Sequence, residues 1–204
     1  MAMTLVGLLP AIAQIAGHPA IHELRSITYL STYPSIRALG TTPGPIGLDR
    51  FNQLAAMAYG WMPRVVRIDP QHTPGAIAAL ISAQTATAAT LRATPVAELA
   101  ACLHSLVGAS KVLHFVNDSV FPIWDSNIET FRLNGPPPHN HMNVVDNYFA
   151  YVNEVHAICG DPGFPAFFTQ FTGAFNTRLT ALDIAPYVIS EVRAVESAAF
   201  ELAP

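Results

Sequence analysis

The chain is predicted to be all-α, and three observations lead there. Apolar residues recur at helical spacing in segment after segment, Pro and Gly punctuate the boundaries between them, and no stretch alternates apolar and polar residues as a half-buried strand does. At 204 residues and 21.9 kDa the length suits one domain spanning residues 1–204. A domain of that size buries about 70% of the surface its unfolded chain exposes. Hydrophobic residues make up 51% and charged residues 12%, a composition for a compact multi-helix bundle and not for a disordered chain.

Leu5 to Ile15 reads as an apolar helix, and Ala20 to Tyr29 as a second after Gly17-His18-Pro19. Pro34 and the run from Thr41 to Gly47 read as a loose, turn-rich connector. Asp49 is suited to cap a helix from Phe51 to Trp61, with Phe51, Leu54, Ala55 and Ala58 on one face and Pro63 as its stop. Arg64 to Ile68 is the one strand-like piece, a short strand or an extended link.

Thr73-Pro74 places a cap before a proline at the first helical position and opens a small-residue helix from Gly75 to Leu91. Thr94-Pro95 repeats the device for Val96 to Val107. Gly108 ends that helix, and another runs from Ala109 or Ser110 to Val116. Ser126 with Glu129 three positions on has the form of a capping box for a helix through Leu133. A loop to His141 follows, then helices over Val144 to Ile158, Phe164 to Phe175 and Val188 to Leu202. The segment Ser190 to Glu196 reads as an exposed face of the last one. The count is nine or ten helices.

Charge and cysteines narrow the function. The net charge is −4, the pI is near 6.0 and no basic cluster occurs, which disfavours extensive nonspecific gripping of duplex phosphates and leaves a small or locally held nucleic-acid substrate open. Cys102 and Cys159 have no metal-ligand spacing and read as buried reduced thiols. The apolar amino-terminal segment lacks a basic region before it and reads as a helix rather than a signal peptide, and no run reaches the roughly 18 apolar residues of a membrane span. The expectation is a cytoplasmic protein with no membrane partner.

The chemistry concentrates between Gly108 and Ile128. Lys111 is the only lysine in the sequence, against nine arginines. On a helix it shares a face with His114 and Phe115. Asp125 comes 14 positions after Lys111, behind Phe121-Pro122-Ile123-Trp124 and at a helix start, where free N–H groups and the helix dipole favour an ionised carboxylate. Such a carboxylate stabilises a cationic sugar, and a desolvated lysine amine can act as a nucleophile at its C1′.

Gly108-Ala109-Ser110-Lys111, followed by Ile123-Trp124-Asp125-Ser126-Asn127-Ile128 and Arg132, resembles the core of the helix-hairpin-helix DNA glycosylase superfamily, and Leu80-Ile81-Ser82-Ala83-Gln84-Thr85 is similar to a helix of its endonuclease-III-type members. The similarity points to a bacterial branch of unassigned activity. It implies a helix-hairpin-helix fold with a catalytic segment within 103–133, Asp125 in the place of the catalytic aspartate and Lys111 in that of the Schiff-base lysine. The implied activity is an N-glycosylase, with or without lyase action, as in DNA repair.

The substrate-binding candidates are His114, Trp124 and Asn127, with Trp61 and Arg64 in the band Tyr59, Trp61, Met62, Arg64 that could wall a nucleobase. No cofactor is expected. Nucleic acid or a nucleoside is the expected partner, and a homodimer contact through the carboxy-terminal helices is open. Two other functions stand beside this one: a noncatalytic helical binding module in which Asp125 and Lys111 are structural, and a metal enzyme using His139 and His141 with Asp146 or His156.

Overall fold

The structure, a computed structural model, describes residues 3–17, 24–61 and 64–203. It is all-α, with no strand among the described residues. In order the helices are α1 (Leu5–Leu8), α2 (Pro10–Gly17), α3 (Leu24–Thr41), α4 (Leu48–Trp61), α5 (Thr73–Thr85), α6 (Val96–Cys102), α7 (Leu106–Val116), α8 (Ser126–Leu133), α9 (Val145–Cys159), α10 (Phe164–Ala181) and α11 (Glu191–Glu201). Short 3-10 turns lie at Leu91–Ala93 and His141–Asn143. The described residues group into two compact units. Unit one draws on 1–34, 125–137 and 153–204, and unit two on 35–124 and 138–152.

In unit one, α10 and α11 pack on α2, and α11 also meets α1 and α8. Phe164, Phe167, Phe171 and Phe175 form a buried ladder along α10, each ring 5.5 to 6.4 Å from the next. This helix runs past the expected end at Phe175 to Ala181. The first residues of α3 belong to this unit, and α3 continues through Pro34 instead of loosening there. A proline leaves the carbonyl four residues back without its helical donor. Here that carbonyl, Leu30 O, accepts from the Tyr187 hydroxyl at 3.0 Å. Ser190 caps α11, but Ser190 to Glu196 is not an exposed face: Glu196 is 2% exposed and pairs with Arg193, whose guanidinium lies 4.7 Å above the Tyr33 ring. Branched and small residues at Val192, Val195 and Ala199 bury the same helix, so its charges are drawn inside with it.

Unit two is built around α7, against which α4, α5 and α6 pack. The small residues of α5 and α6 let those two helices approach closely. Several boundaries differ from expectation. His72, not Thr73, holds the cap position of α5, which ends at Thr85 rather than Leu91 because Ala86 turns extended. Asp49 lies inside the first turn of α4. The helix opening at Val96 stops at Cys102, where His104 takes a left-handed conformation (φ 49°), and α6 and α7 meet at a bend of 119°. Ser105 then caps α7 by accepting from Gly108 N at 3.0 Å, so Gly108 lies within the new helix rather than ending the old one. Gly108 makes room for Tyr59: a Cβ there would stand 2.5 Å from the Tyr59 hydroxyl.

Residues 64–68 form an irregular link and not a strand, while Pro63 and Met62 lie outside the described residues, as does the start of the helix expected from Ala20. The thiols of Cys102 and Cys159 are free, buried in the first case and half-buried in the second. Among the described residues, no single helix is long and apolar enough to cross a membrane.

Candidate functional site

Lys111 sits one turn into α7, in a helix almost wholly buried because Leu106, Ala109, Val112, Leu113 and Val116 turn to the other helices of unit two. The lysine is itself 9% exposed. Its Nζ lies 5.6 Å from the centre of the Trp61 ring, within the range of a cation–π contact. Phe115, the i+4 neighbour on the same helix face, meets that ring edge-on at 5.5 Å. Trp61 ends α4 and is half-buried, so the face shared by Lys111 and Phe115 is covered by an aromatic wall contributed by another helix.

The segment Phe121 to Trp124 is buried and has no sheet to receive its backbone polar groups. Side chains take that task. Phe121 O lies 2.9 Å from His114 Nδ1, Pro122 O accepts from the Tyr148 hydroxyl at 3.1 Å, and Ile123 O accepts from the Tyr151 hydroxyl at 3.0 Å. Trp124 O lies 3.3 Å from the Ser110 hydroxyl, which also faces Val107 O at 2.8 Å, and Trp124 N donates to Ser110 Oγ at 3.0 Å. Four successive carbonyls are thereby met by four side chains, two from α7 and two from α9. Because a carbonyl only accepts, His114 carries a proton on Nδ1 in this bond.

His114 and Trp124, both expected to touch substrate, are thus closed off from solvent at 0% exposure each. Trp124 packs its ring 5.7 Å from Tyr148 and 6.1 Å from His141. Of the expected contact residues, those that present surface are Trp61, half-buried, and Arg64 and Asn127, exposed.

Asp125 belongs to unit one and is the N-cap of α8 in extended conformation. Its Oδ1 accepts from Asn127 N and Ile128 N, each at 3.0 Å, while no hydrogen bond from the described residues reaches Oδ2. One carboxylate oxygen is fixed at the positive end of a helix and the other is uncommitted. Asp125 therefore takes the cap position expected of Ser126, and the expected capping box does not form. Glu129 does not reach back to it: fully buried, it binds Arg132 at 3.0 Å, and Arg132 also meets Glu154 at 3.1 Å. Asn127 lends its backbone amide to the Asp125 cap and leaves its side chain exposed.

Arg132 and Arg178 are both enclosed in ion pairs, the latter with Glu201. The histidines of the proline-rich loop do not build a metal centre: among the described residues, no group of three or more His, Cys, Asp or Glu side chains could hold an ion. His141 instead faces the Asn147 side chain at 3.1 Å.

Sequence reasoning missed Ser110, Tyr148 and Tyr151 as the supports of the segment leading to Asp125. The signal was the i, i+3 pair of tyrosines on an otherwise aliphatic face, since a buried phenol needs an acceptor.

No family model, no curated protein and no solved structure matches this chain.

Proposed function

We propose that the protein is an N-glycosidase-like enzyme that cleaves a base–sugar bond in nucleic acid or a nucleoside, with Lys111 as nucleophile and Asp125 stabilising the cationic sugar. The resemblance to helix-hairpin-helix glycosylases supplies the reaction class. The observation that carries the reading is Lys111: the only lysine in the sequence, 9% exposed, held in a buried helix with its amine over the Trp61 ring. A solvated lysine at a hairpin end would have no such environment.

In the proposed step the neutral Nζ attacks C1′ as the glycosidic bond breaks. The base departs with the bonding pair and takes up a proton. Opening of the sugar C1′–O4′ bond then yields an iminium between Lys111 and C1′, which borohydride reduces to a stable amine. Asp125 opposes positive charge on the sugar while that charge develops. A ring face that attracts the ammonium also attracts the iminium that succeeds it, so Trp61 accompanies the positive charge through the sequence.

Borohydride trapping with an abasic-site oligonucleotide tests the reading. The wild type is expected to give a covalent adduct that Lys111→Ala abolishes and Asp125→Asn weakens. Absence of any adduct, together with no base released from a panel of nucleosides and damaged oligonucleotides, would overturn it.

A second reading is a noncatalytic helical module. It is favoured by the enclosure of His114 and Trp124 and by the capping bonds of Asp125, which account for those three residues without chemistry. The negative outcome of the same experiment selects it.

A further inference from the structure

We infer that the irregular link from Arg64 to Ile68 is a contact strip for a nucleic-acid strand, gripping two phosphates through Arg64 and Arg67. The inference rests on the proposed activity for the chemistry at Lys111 and extends it by naming the substrate as a polymer rather than a free nucleoside.

The first ground is the disposition of the arginines. Seven of the nine are committed. Arg25 donates to the Tyr29 hydroxyl, Arg37 forks onto buried Asp118, and Arg50 binds the carbonyls of Leu39, Gly40, Thr42 and Gly44. Arg92 meets Asp146, Arg132 meets Glu129, Arg178 meets Glu201, and Arg193 meets Glu196. Arg64 and Arg67 are exposed, and among the described residues neither guanidinium has an ion pair or hydrogen bond. In a chain with only ten cationic side chains, the two that folding does not use stand three residues apart on one segment.

The second ground is the segment itself. It is pinned at both ends and open between them: Arg64 N donates to Tyr59 O at 3.1 Å, and Asp69 N to Cys102 O at 2.8 Å. Residues three apart are separated by at most about 10 Å, a span over which long arginine side chains adjust to successive phosphates. Val65 between them is 87% exposed, an aliphatic group that a solvent-facing link has no folding reason to carry and that suits the face of a base or sugar.

The third ground is position. Arg64 is anchored by its amide to the last turn of α4, the helix that ends in Trp61, and Trp61 covers Lys111. A strand held on this link passes beside the aromatic wall of the lysine.

The test is the salt dependence of binding, measured by fluorescence anisotropy with a labelled 20-nucleotide single strand and its duplex. For single strands each phosphate contact contributes about −0.7 to the slope of log K against log salt. Arg64→Ala and Arg67→Ala are each expected to flatten the slope by about 0.7, and the double variant by about 1.4. Val65→Ser is expected to weaken binding with the slope unchanged. All three positions are exposed, and the backbone anchors survive the substitutions, so the fold is not at stake.

An unchanged slope in the double variant would overturn the inference. So would displacement of the oligonucleotide by polyglutamate as readily as by unlabelled DNA, which would assign the strip to an acidic protein, or by a mononucleotide with equal affinity. Binding with the expected slopes but no borohydride adduct would sink the proposed activity and leave the strip standing. An adduct with no slope change would do the reverse.

Discussion

The Tyr187 hydroxyl donates to Leu30 O at 3.0 Å, the carbonyl that Pro34 leaves without a helical donor. A side chain from the segment before α11 thereby repairs a break in α3 and lets an 18-residue helix run through a proline. Tyr187→Phe should leave that carbonyl unmet while keeping the ring contacts with Tyr33 and Phe175. A loss of about 1–3 kcal/mol is expected. The urea midpoint of the variant against wild type measures it.

Alkaline pH should act through the same phenol and through one thiol. Burial pushes Tyr187 up from 10.0 to about 12, and burial followed by the nearby Glu191 carboxylate pushes Cys159 from 9.0 to about 12. Both groups are held in their neutral forms by folding. Their contribution is fully present below pH 9, and it is lost as pH rises through 12, because the unfolded chain ionises first. Stability should therefore fall between pH 9 and 12, and less steeply in Cys159→Ala and Tyr187→Phe. Denaturant midpoints taken across that range would show it. At pH 8 the folded Cys159 thiol should resist alkylation that it undergoes once unfolded.

Asp125 offers a separation of charge from capping. Asn caps a helix about as well as Asp, so Asp125→Asn should hold stability within a few tenths of a kcal/mol while the carboxylate is removed. Asp125→Ala should in addition lose about 1 kcal/mol with the two N–H bonds to Oδ1. Thermal melts of the pair, read beside borohydride trapping, distinguish a chemical role from a structural one.

Arg132 neutralises a carboxylate that has no exposure. Arg132→Met takes the bound guanidinium away from buried Glu129 and should cost about 3–5 kcal/mol, whereas Glu129→Gln with Arg132→Met should recover most of it. A double-mutant cycle on urea midpoints provides the measurement.

Two glycines should differ in their tolerance of a methyl group. A Cβ at Gly40 would lie 1.8 Å from Phe115 O, a backbone atom that cannot step aside, so Gly40→Ala should cost about 3 kcal/mol or more. At Gly108 the obstacle is the Tyr59 side chain, which can move at the expense of its hydrogen bond to Leu103 O, and about 1–3 kcal/mol is expected. Equilibrium unfolding of both variants ranks them.

The class of fold was legible because period and punctuation are local signals: Thr94-Pro95 does precede a helix, and Val145–Cys159 falls within a residue of its predicted span. Boundaries failed where tertiary partners overruled local chemistry. Pro34 reads as a breaker until Tyr187 is placed against Leu30 O. Gly108 reads as a terminator until Tyr59 shows that the absent Cβ matters more than the backbone freedom. At the site, Lys111 stood out by its rarity and Asp125 by its position before a helix. The enclosure of His114 and Trp124 was hidden, because their partners are carbonyls and every residue has one. The inward turn of Arg193 and Glu196 was hidden for a related reason, since a charge pair at i, i+3 looks the same on either face of a helix.

The isolation of the lysine within α7 makes it a clock for the opening of that helix. A lysine-specific endoproteinase finds one peptide bond in the whole sequence, after Lys111, inside a hydrogen-bonded helix buried among its neighbours. The folded chain should present no extended substrate there, and each scission into two fragments would count one local or global unfolding event at the site where the reaction is proposed to occur.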